Sequence, residues 1–251
     1  MPDRLHAACL CHIGRVRKNN EDNFCFGTCC LEAENLGLSR PLTMSQPLRR
    51  RPRLAVFDGM GGEENGEWAS FTAAYRMCRT RRGIKERFAP ESAFLCGLGL
   101  QLNAAVVARQ RELGSRRMGS TMAAVSFSRS AYCLCSLGDS RIYLLRDGAL
   151  RRLSMDHVEE FSGRRKAPLT QFLGIDPESY AIEPFVAEGA LKSGDRFLLC
   201  SDGLTDMVPE PEIAGILGGE AACGRSAERL VAAALEHGGR DNVTVIVCRV
   251  E

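Results

Sequence analysis

The sequence predicts an α+β fold in which antiparallel strands are grouped together and covered by pairs of helices. Three observations carry this expectation. Short apolar runs at 5–12, 23–28 and 54–57 precede two segments of helical periodicity. Consecutive β-type runs then occupy 120–128, 131–137, 141–145 and 149–153. Helical patterns return near 209–217 and 225–236, before a last apolar run at 242–250. Long helices early and late, with strands between them, suit two antiparallel sheets covered by helix pairs. That order accommodates a four-layer α/β/β/α sandwich, although periodicity alone does not establish one.

The elements follow from local chemistry. The runs at 5–12 and 23–28 flank a polar connector, 14–22, and read as strands. Residues 29–52 hold Asn35, Gly37, Ser39, Pro41, Ser45 and Pro47 and read as a loop between paired strands. A helix is expected from about Glu63 to Thr80, with acidic residues in its first turn, where the helix dipole favours them. A second is expected from Pro90 to Leu113, where Phe94, Leu95, Leu98, Leu102 and Val106 recur at helical spacing. Asp147-Gly148 marks a hairpin. Strands are expected near 180–186 and 195–200. No repeat or long linker divides the chain, so residues 1–251 are assigned to one domain.

Composition bounds the function. With 45% hydrophobic and 25% charged residues the chain has the make-up of an ordinary globular protein. A net charge of +2 gives no bulk argument for nucleic acid or membrane. The basic cluster Arg49-Arg50-Arg51 with Arg53 reads as a solvated loop. No stretch is expected to reach the roughly 18 apolar residues of a membrane span, and polar residues near the N-terminus break any leader-like run. The twelve cysteines contain no Cys-x-x-Cys and no zinc-like spacing with histidine, so they read as small buried hydrophobes in a reducing cytosol. Cys9/Cys11 and Cys133/Cys135, each two apart, should share a face on their strands.

The chemistry gathers around Arg53–Gly62. A short buried strand leads to Asp58, followed by Gly59, Gly61 and Gly62. Glycines permit positive φ and close approach, and a carboxylate beside bare backbone suits a cation. Alone, the stretch reads more readily as a hairpin turn. Its partners elsewhere reverse that reading. Asp22 follows Glu21 just before Phe24; Asp202 ends an apolar run and precedes Gly203; Asp241 precedes Asn242 and the last strand. Each lies where a strand meets a loop, so pairing can gather them at one edge. Bare carboxylates gathered there would repel, and some would be forced to protonate. Two divalent cations remove that problem, and an oxygen-only donor set suits Mg²⁺ or Mn²⁺.

Arg17-x-x-Asn20-Glu21-Asp22, Asp58-Gly59-Met60-Gly61-Gly62, Gly119-Ser120-Thr121, Gly138-Asp139-Ser140-Arg141, Ser201-Asp202-Gly203 and Asp241-Asn242 occur in this order. The chain thereby resembles bacterial serine/threonine phosphatases of the protein phosphatase 2C family, from about residue 10 to the C-terminus. The resemblance implies the α/β/β/α sandwich and two Mn²⁺ or Mg²⁺ ions at its end. It implies that Asp58 bridges both ions and that the Gly59 carbonyl binds one. Asp202 and Asp241 would complete the other site, and Asp139 with Asp202 a weaker third. Asp22 would act directly or through a metal-bound water, with Glu21 supporting the water shell and Arg17 gripping the phosphate. Two such ions activate a shared water for in-line phosphoryl transfer. Arginine offers phosphate a pair of parallel donors that lysine does not. No covalent phosphoenzyme is implied, so the cysteines have no assigned catalytic part.

Two departures stand out. Animal members place histidine after Asp-Gly as a proposed general acid. Here that position is Met60, as is common in bacterial relatives, so metal-bound water is expected to protonate the leaving oxygen. The segment from Asp156-His157 to Leu169-Thr170 is also shorter than the usual bacterial flap, and Arg164, Arg165 and Lys166 lie in it. The expected activity is hydrolysis of phosphoserine and phosphothreonine in proteins, opposed by a serine/threonine kinase, by a cytoplasmic monomer. A binding module that kept the fold without catalysis is opposed by the four retained aspartates and Arg17. A small-phosphoester hydrolase is opposed by the lack of any base-recognition motif.

Overall fold

The computed structural model describes residues 2–60, 65–81, 89–115, 117–159, 167–219 and 221–251. Alternation along the strands determines the layers. In β1 (Arg4–His12), Leu5, Ala7, Cys9 and Cys11 face one side and Ala8 and Leu10 the other. In β12 (Val243–Val250), Ile246, Cys248 and Val250 share the first side, with Val243, Val245 and Val247 on the second. Period-two side chains that are apolar on both faces can only be buried between two layers.

The remaining strands are β2 (Asp22–Phe26), β3 (Leu42–Pro47), β4 (Arg53–Met60), β5 (Gly119–Ser120), β6 (Met122–Phe127), β7 (Ala131–Leu137), β8 (Arg141–Arg146), β9 (Ala149–Arg152), β10 (Phe185–Ala190) and β11 (Arg196–Cys200). One sheet runs β3-β1-β12-β11-β8-β9; the other runs β10-β7-β6-β4-β2, with β5 joined to β4. All strand pairs are antiparallel. Between the sheets lies a core that includes Phe24, Leu54, Val56, Phe127, Phe197 and Ile246. Phe197 meets Phe127 and Tyr132 edge-on at 5.1 and 5.0 Å between ring centroids.

Helices cover both outer faces. α1 (Gly66–Arg79) and α2 (Glu91–Leu113) pack on the second sheet through Ala69, Ala73, Met77, Phe94, Leu98 and Leu102. α4 (Glu210–Gly219) and α5 (Cys223–Glu236) cover the first through Ile213, Leu217, Leu230 and Ala234. A four-residue helix, α3 (Asp202–Thr205), leaves the end of β11. The expected four-layer α/β/β/α sandwich is therefore observed.

Several expectations need correction. The 29–52 segment is not all loop, because Leu42–Pro47 pairs along β1 as an edge strand. Tyr180–Glu183 is irregular, and the strand expected there begins at Phe185. The start of α1 is Gly66, after Asn65 with φ 62°; Gly61, Gly62, Glu63 and Glu64 lie outside the described residues. α2 is long and apolar enough, by length and composition alone, to cross a membrane, contrary to the sequence reading. It buries its apolar stripe on the second sheet, as a core helix does. At Asp147 and Gly148 φ is 53° and 77°, the positive pair that a tight two-residue hairpin requires. All twelve cysteines are free. Cys9 and Cys11 share the inter-sheet face, and Cys133 and Cys135 the helix face, as spacing predicts.

Candidate active site

The acidic residues meet where both sheets end. Asp22 and Asp58 are register partners on β2 and β4. They share the inward face with Phe24, Phe26, Leu54 and Val56 and so close that end of the inter-sheet core. Like charges directly opposite on neighbouring strands repel. The other sheet supplies Asp202 at the end of β11 and Asp241 just before β12. β4 does not stop at Asp58: it continues to Met60 and pairs with Gly119 and Ser120, which rules out a hairpin at Asp58-Gly59.

Glycine is required at Gly59 and Gly203 by close approach. A Cβ on Gly59 would lie 2.2 Å from the Gly66 carbonyl oxygen and 2.5 Å from that of Glu21. A Cβ on Gly203 would lie 1.9 Å from the carbonyl oxygen of Asn242. These contacts press the Asp58 corner against α1 and the Asp202 corner against the Asp241 loop.

Polar side chains buried among the strand ends hold the acids in place. The Ser201 hydroxyl donates to Asp22 Oδ2 at 2.7 Å and accepts the Thr244 amide at 3.0 Å. Asp22 is 1% exposed, and its Oδ1 is buried without a hydrogen-bond partner. The nearby Thr244 hydroxyl opposes the rise of the Asp22 pKa but has no hydrogen-bond partner of its own. The Asp58 amide donates to Thr121 Oγ1 at 3.0 Å, and that oxygen shares a proton with Ser140 Oγ at 2.6 Å. Asn242 Oδ1 accepts the Glu21 amide at 2.8 Å, while its Nδ2 donates to the carbonyls of Ile13 and Asn19 at 2.8 and 2.9 Å. Asn20 donates to Asn35 and accepts the Asp22 amide. The motifs contain Asn20, Thr121, Ser140, Ser201 and Asn242, but no local pattern gave them roles: Ser201 and Asp22 are 179 positions apart.

Arg17 donates from Nη2 to Asp241 Oδ2 at 2.7 Å. That hydrogen bond, with the nearby charges of Asp241, Glu21 and Asp58, raises its pKa further. Burial drives the Asp22 carboxyl well above the usual carboxylate range; Asp202 and Asp241 add to this, and the Ser201 hydrogen bond opposes it. Glu21 is pushed up to about 7, mainly by burial and next by Glu67. Its carboxylate lies against Gly66 at the start of α1, so it faces the helix N-terminus as well as the acidic edge. Asp139 is half-buried beside Ser140. Arg164, Arg165 and Lys166 lie outside the described residues; the ends of their segment close as an antiparallel bridge between Val158 and Leu169.

Among the described residues, no three His, Cys, Asp or Glu side chains already form a metal-binding group. Magnesium-type ions do not need one, since they keep several waters and use one or two carboxylates. The orphaned Asp22 Oδ1, the facing Asp22–Asp58 pair and the oxygen-only donors fit such ions. A cysteine nucleophile is disfavoured. The resolved shifts of Cys9, Cys11, Cys30, Cys78, Cys135, Cys200, Cys223 and Cys248 are all upward, with burial among the causes of each. A reactive thiolate requires the opposite shift.

A raised carboxyl pKa predicts a pH effect. Folded Glu21 and Asp22 bind protons more tightly than the unfolded chain does. Their contribution to stability is therefore present below the unfolded values, near ~4, and is lost as pH rises through about 7. In metal-free protein, Glu21→Gln should flatten the fall of Tm between pH 5 and pH 8, roughly the window set by those values. An unchanged Tm-versus-pH slope, measured by calorimetry, would count against this placement of Glu21.

A sandwich closed at one end by carboxylates and an arginine presents an edge suited to cations and to an anionic group. A sequence profile of the protein phosphatase 2C family matches residues 44–236. The chain belongs to that family and is a protein phosphatase. It is 29% identical over 260 residues to the serine/threonine phosphatase stp of Listeria welshimeri, covering 97% of this chain and 95% of that one. It is 34% identical over 213 residues to the serine/threonine protein phosphatase PstP of Mycobacterium tuberculosis, covering 78% of this chain and 40% of PstP. The solved catalytic domain of PstP, in complex with two manganese ions, superposes with a TM-score of 0.77 at 30% identity, covering 99% of each chain.

Proposed function

We propose that the chain is a metal-dependent protein serine/threonine phosphatase that uses water directly as the nucleophile. The observation that carries this reading is the meeting of Asp22, Asp58, Asp202 and Asp241 with Arg17 at one end of the sandwich, with Asp22 Oδ1 buried and unpartnered. Asp58 and the Gly59 carbonyl, with Asp202 and Asp241, would hold two Mn²⁺ or Mg²⁺ ions, and Asp139 with Asp202 a third. When bound, such ions neutralise phosphate charge and lower the pKa of a water between them.

The protein's own residues supply the rest. Arg17 exchanges its Asp241 partner for the phosphate and orients it through parallel N–H donors. Asp22, fixed through Oδ2 by Ser201, would contribute Oδ1 to the ions, directly or through a metal-bound water. Met60 carries no transferable proton, so the leaving serine or threonine oxygen takes its proton from water. The reading carries with it an opposing serine/threonine kinase, a monomer, and a cytoplasmic location in keeping with the free cysteines.

The test is hydrolysis of phosphoserine and phosphothreonine peptides with Mn²⁺, against nucleotides and sugar phosphates. Peptide turnover well above that of small esters is expected. Tight peptide binding without turnover would indicate a binding module, and preference for a small ester would overturn the protein substrate.

Arg17→Ala should raise KM or lower kcat/KM by about one to two orders of magnitude, since a charge-assisted hydrogen bond contributes roughly 1.5–3 kcal/mol. Arg17→Lys should recover little of this, because the paired donors are missing. Wild-type phosphate inhibition and kinetics in Arg17→Ala would leave Arg17 only its ion pair with Asp241.

A further inference from the structure

We propose that Arg15, Lys18 and Arg240 form a basic docking rim beside the phosphate site, selecting phosphopeptides with acidic residues near the phosphorylated position. The proposal rests on the protein phosphatase reading and names its substrate class.

Two segments distant in sequence build the rim. Residues 15–19 are all exposed, and so is Arg240. The first segment is held against the second by backbone contacts: the Arg15 amide donates to the Gly239 carbonyl at 2.7 Å. A Cβ on Gly14 would lie 2.2 Å from the Asp241 carbonyl oxygen, so only glycine permits this approach. Asn242 clamps both ends of the segment through Ile13 and Asn19, and Asn242 is itself 3% exposed. The stem of Arg15 lies close to Gly239, where an added Cβ would come within 3.1 Å of its Cγ. The rim is therefore mounted on the same loop as Asp241.

Among the described residues the rim charges have no ion-pair partner. Arg17 is paired with Asp241, but Arg15, Lys18 and Arg240 make no ion pair among the described residues. On the α1 side of the segment, Asn19 donates to Glu67 at 2.9 Å. Val16, 64% exposed, sits between the cations and offers an apolar contact. Three such cations around the phosphate-gripping arginine, on a chain whose net charge is only +2, make a local field and not a general affinity for polyanions. An acidic phosphopeptide matches that field beyond its phosphate. Such complementarity acts chiefly on encounter and is weakened by salt.

The test compares the parent with the Arg15→Gln/Lys18→Gln/Arg240→Gln variant on three substrates: an acidic phosphothreonine peptide, a neutral one and a small aryl phosphate. Loss of about tenfold in kcat/KM is expected on the acidic peptide at low salt, with much less on the other two. The loss should shrink at high salt. Reversing two charges, Arg15→Glu/Arg240→Glu, should invert the preference between acidic and basic peptides. Unchanged kinetics on the acidic peptide, or equal losses on all three substrates, would overturn the rim. Binding of a hydrolysis-resistant phosphonate analogue of the acidic peptide reads the rim without turnover. A parent that binds this analogue in a rim-dependent way yet hydrolyses no peptide would contradict the catalytic reading and leave the rim standing. A parent and variant that bind it equally would contradict the rim alone.

Discussion

Asp58→Asn is expected to lower kcat/KM by about three orders of magnitude, the loss that follows from several kcal/mol of charge stabilisation. The substitution keeps the shape of the side chain and removes only its charge. Asp58 stands opposite Asp22 across β2 and β4, its amide is held by Thr121, and Arg17 feels its charge. It is the carboxylate proposed to join the two ions. The same change removes one of two like charges facing each other across the strands. The metal-free variant should therefore melt no lower than the metal-free parent. Loss of activity with stability retained separates a role in binding ions from a role in folding. Near-normal turnover would show that Asp58 is not the bridge.

Removing divalent ions should have the second large effect, on both activity and stability. The folded chain gathers Asp22, Asp58, Asp202 and Asp241 at one edge, and the unfolded chain does not. A ligand that binds only the folded state stabilises it by about 2.7 kcal/mol at 100 times its Kd. For a domain of this size that corresponds to roughly 5–11 °C in Tm. Exhaustive chelation should abolish turnover and lower Tm by that order, and added Mn²⁺ or Mg²⁺ should restore both. An identical melting curve with and without chelator would contradict a cation site at the sheet ends.

Much of the fold was legible in the sequence because it rests on short-range pattern. The alternation of β1, β4 and β12, the stripe of α2 and the Asp147-Gly148 hairpin are properties of neighbouring residues. β3 escaped notice because Leu42–Pro47 is an edge strand, only partly buried and ending in proline, whose identity comes from pairing with β1. α3 escaped because a single turn has no periodicity to detect. The acids of the site were found through their motifs, but the residues that position them were not. Ser201 acquires its role from Asp22, and Asn242 from Ile13, Asn19 and Glu21, across more than a hundred and seventy residues in each case. Even the glycines were understood only in part. Gly59 was expected to allow close approach or positive φ, and close approach is what its surroundings demand, as do those of Gly203, for which no role was expected.

The proposed dependence of hydrolysis on a pair of divalent cations held by Asp58, Asp202 and Asp241 is open to direct measurement. Metal-stripped protein is titrated calorimetrically with Mn²⁺, and phosphopeptide turnover is followed at each point. Turnover should rise from zero and reach its plateau only when about two ions are bound per chain, as in two-metal phosphatases, with fewer bound by Asp58→Asn. Full turnover in stripped protein, or a plateau reached with a single ion bound, would contradict the two-ion mechanism.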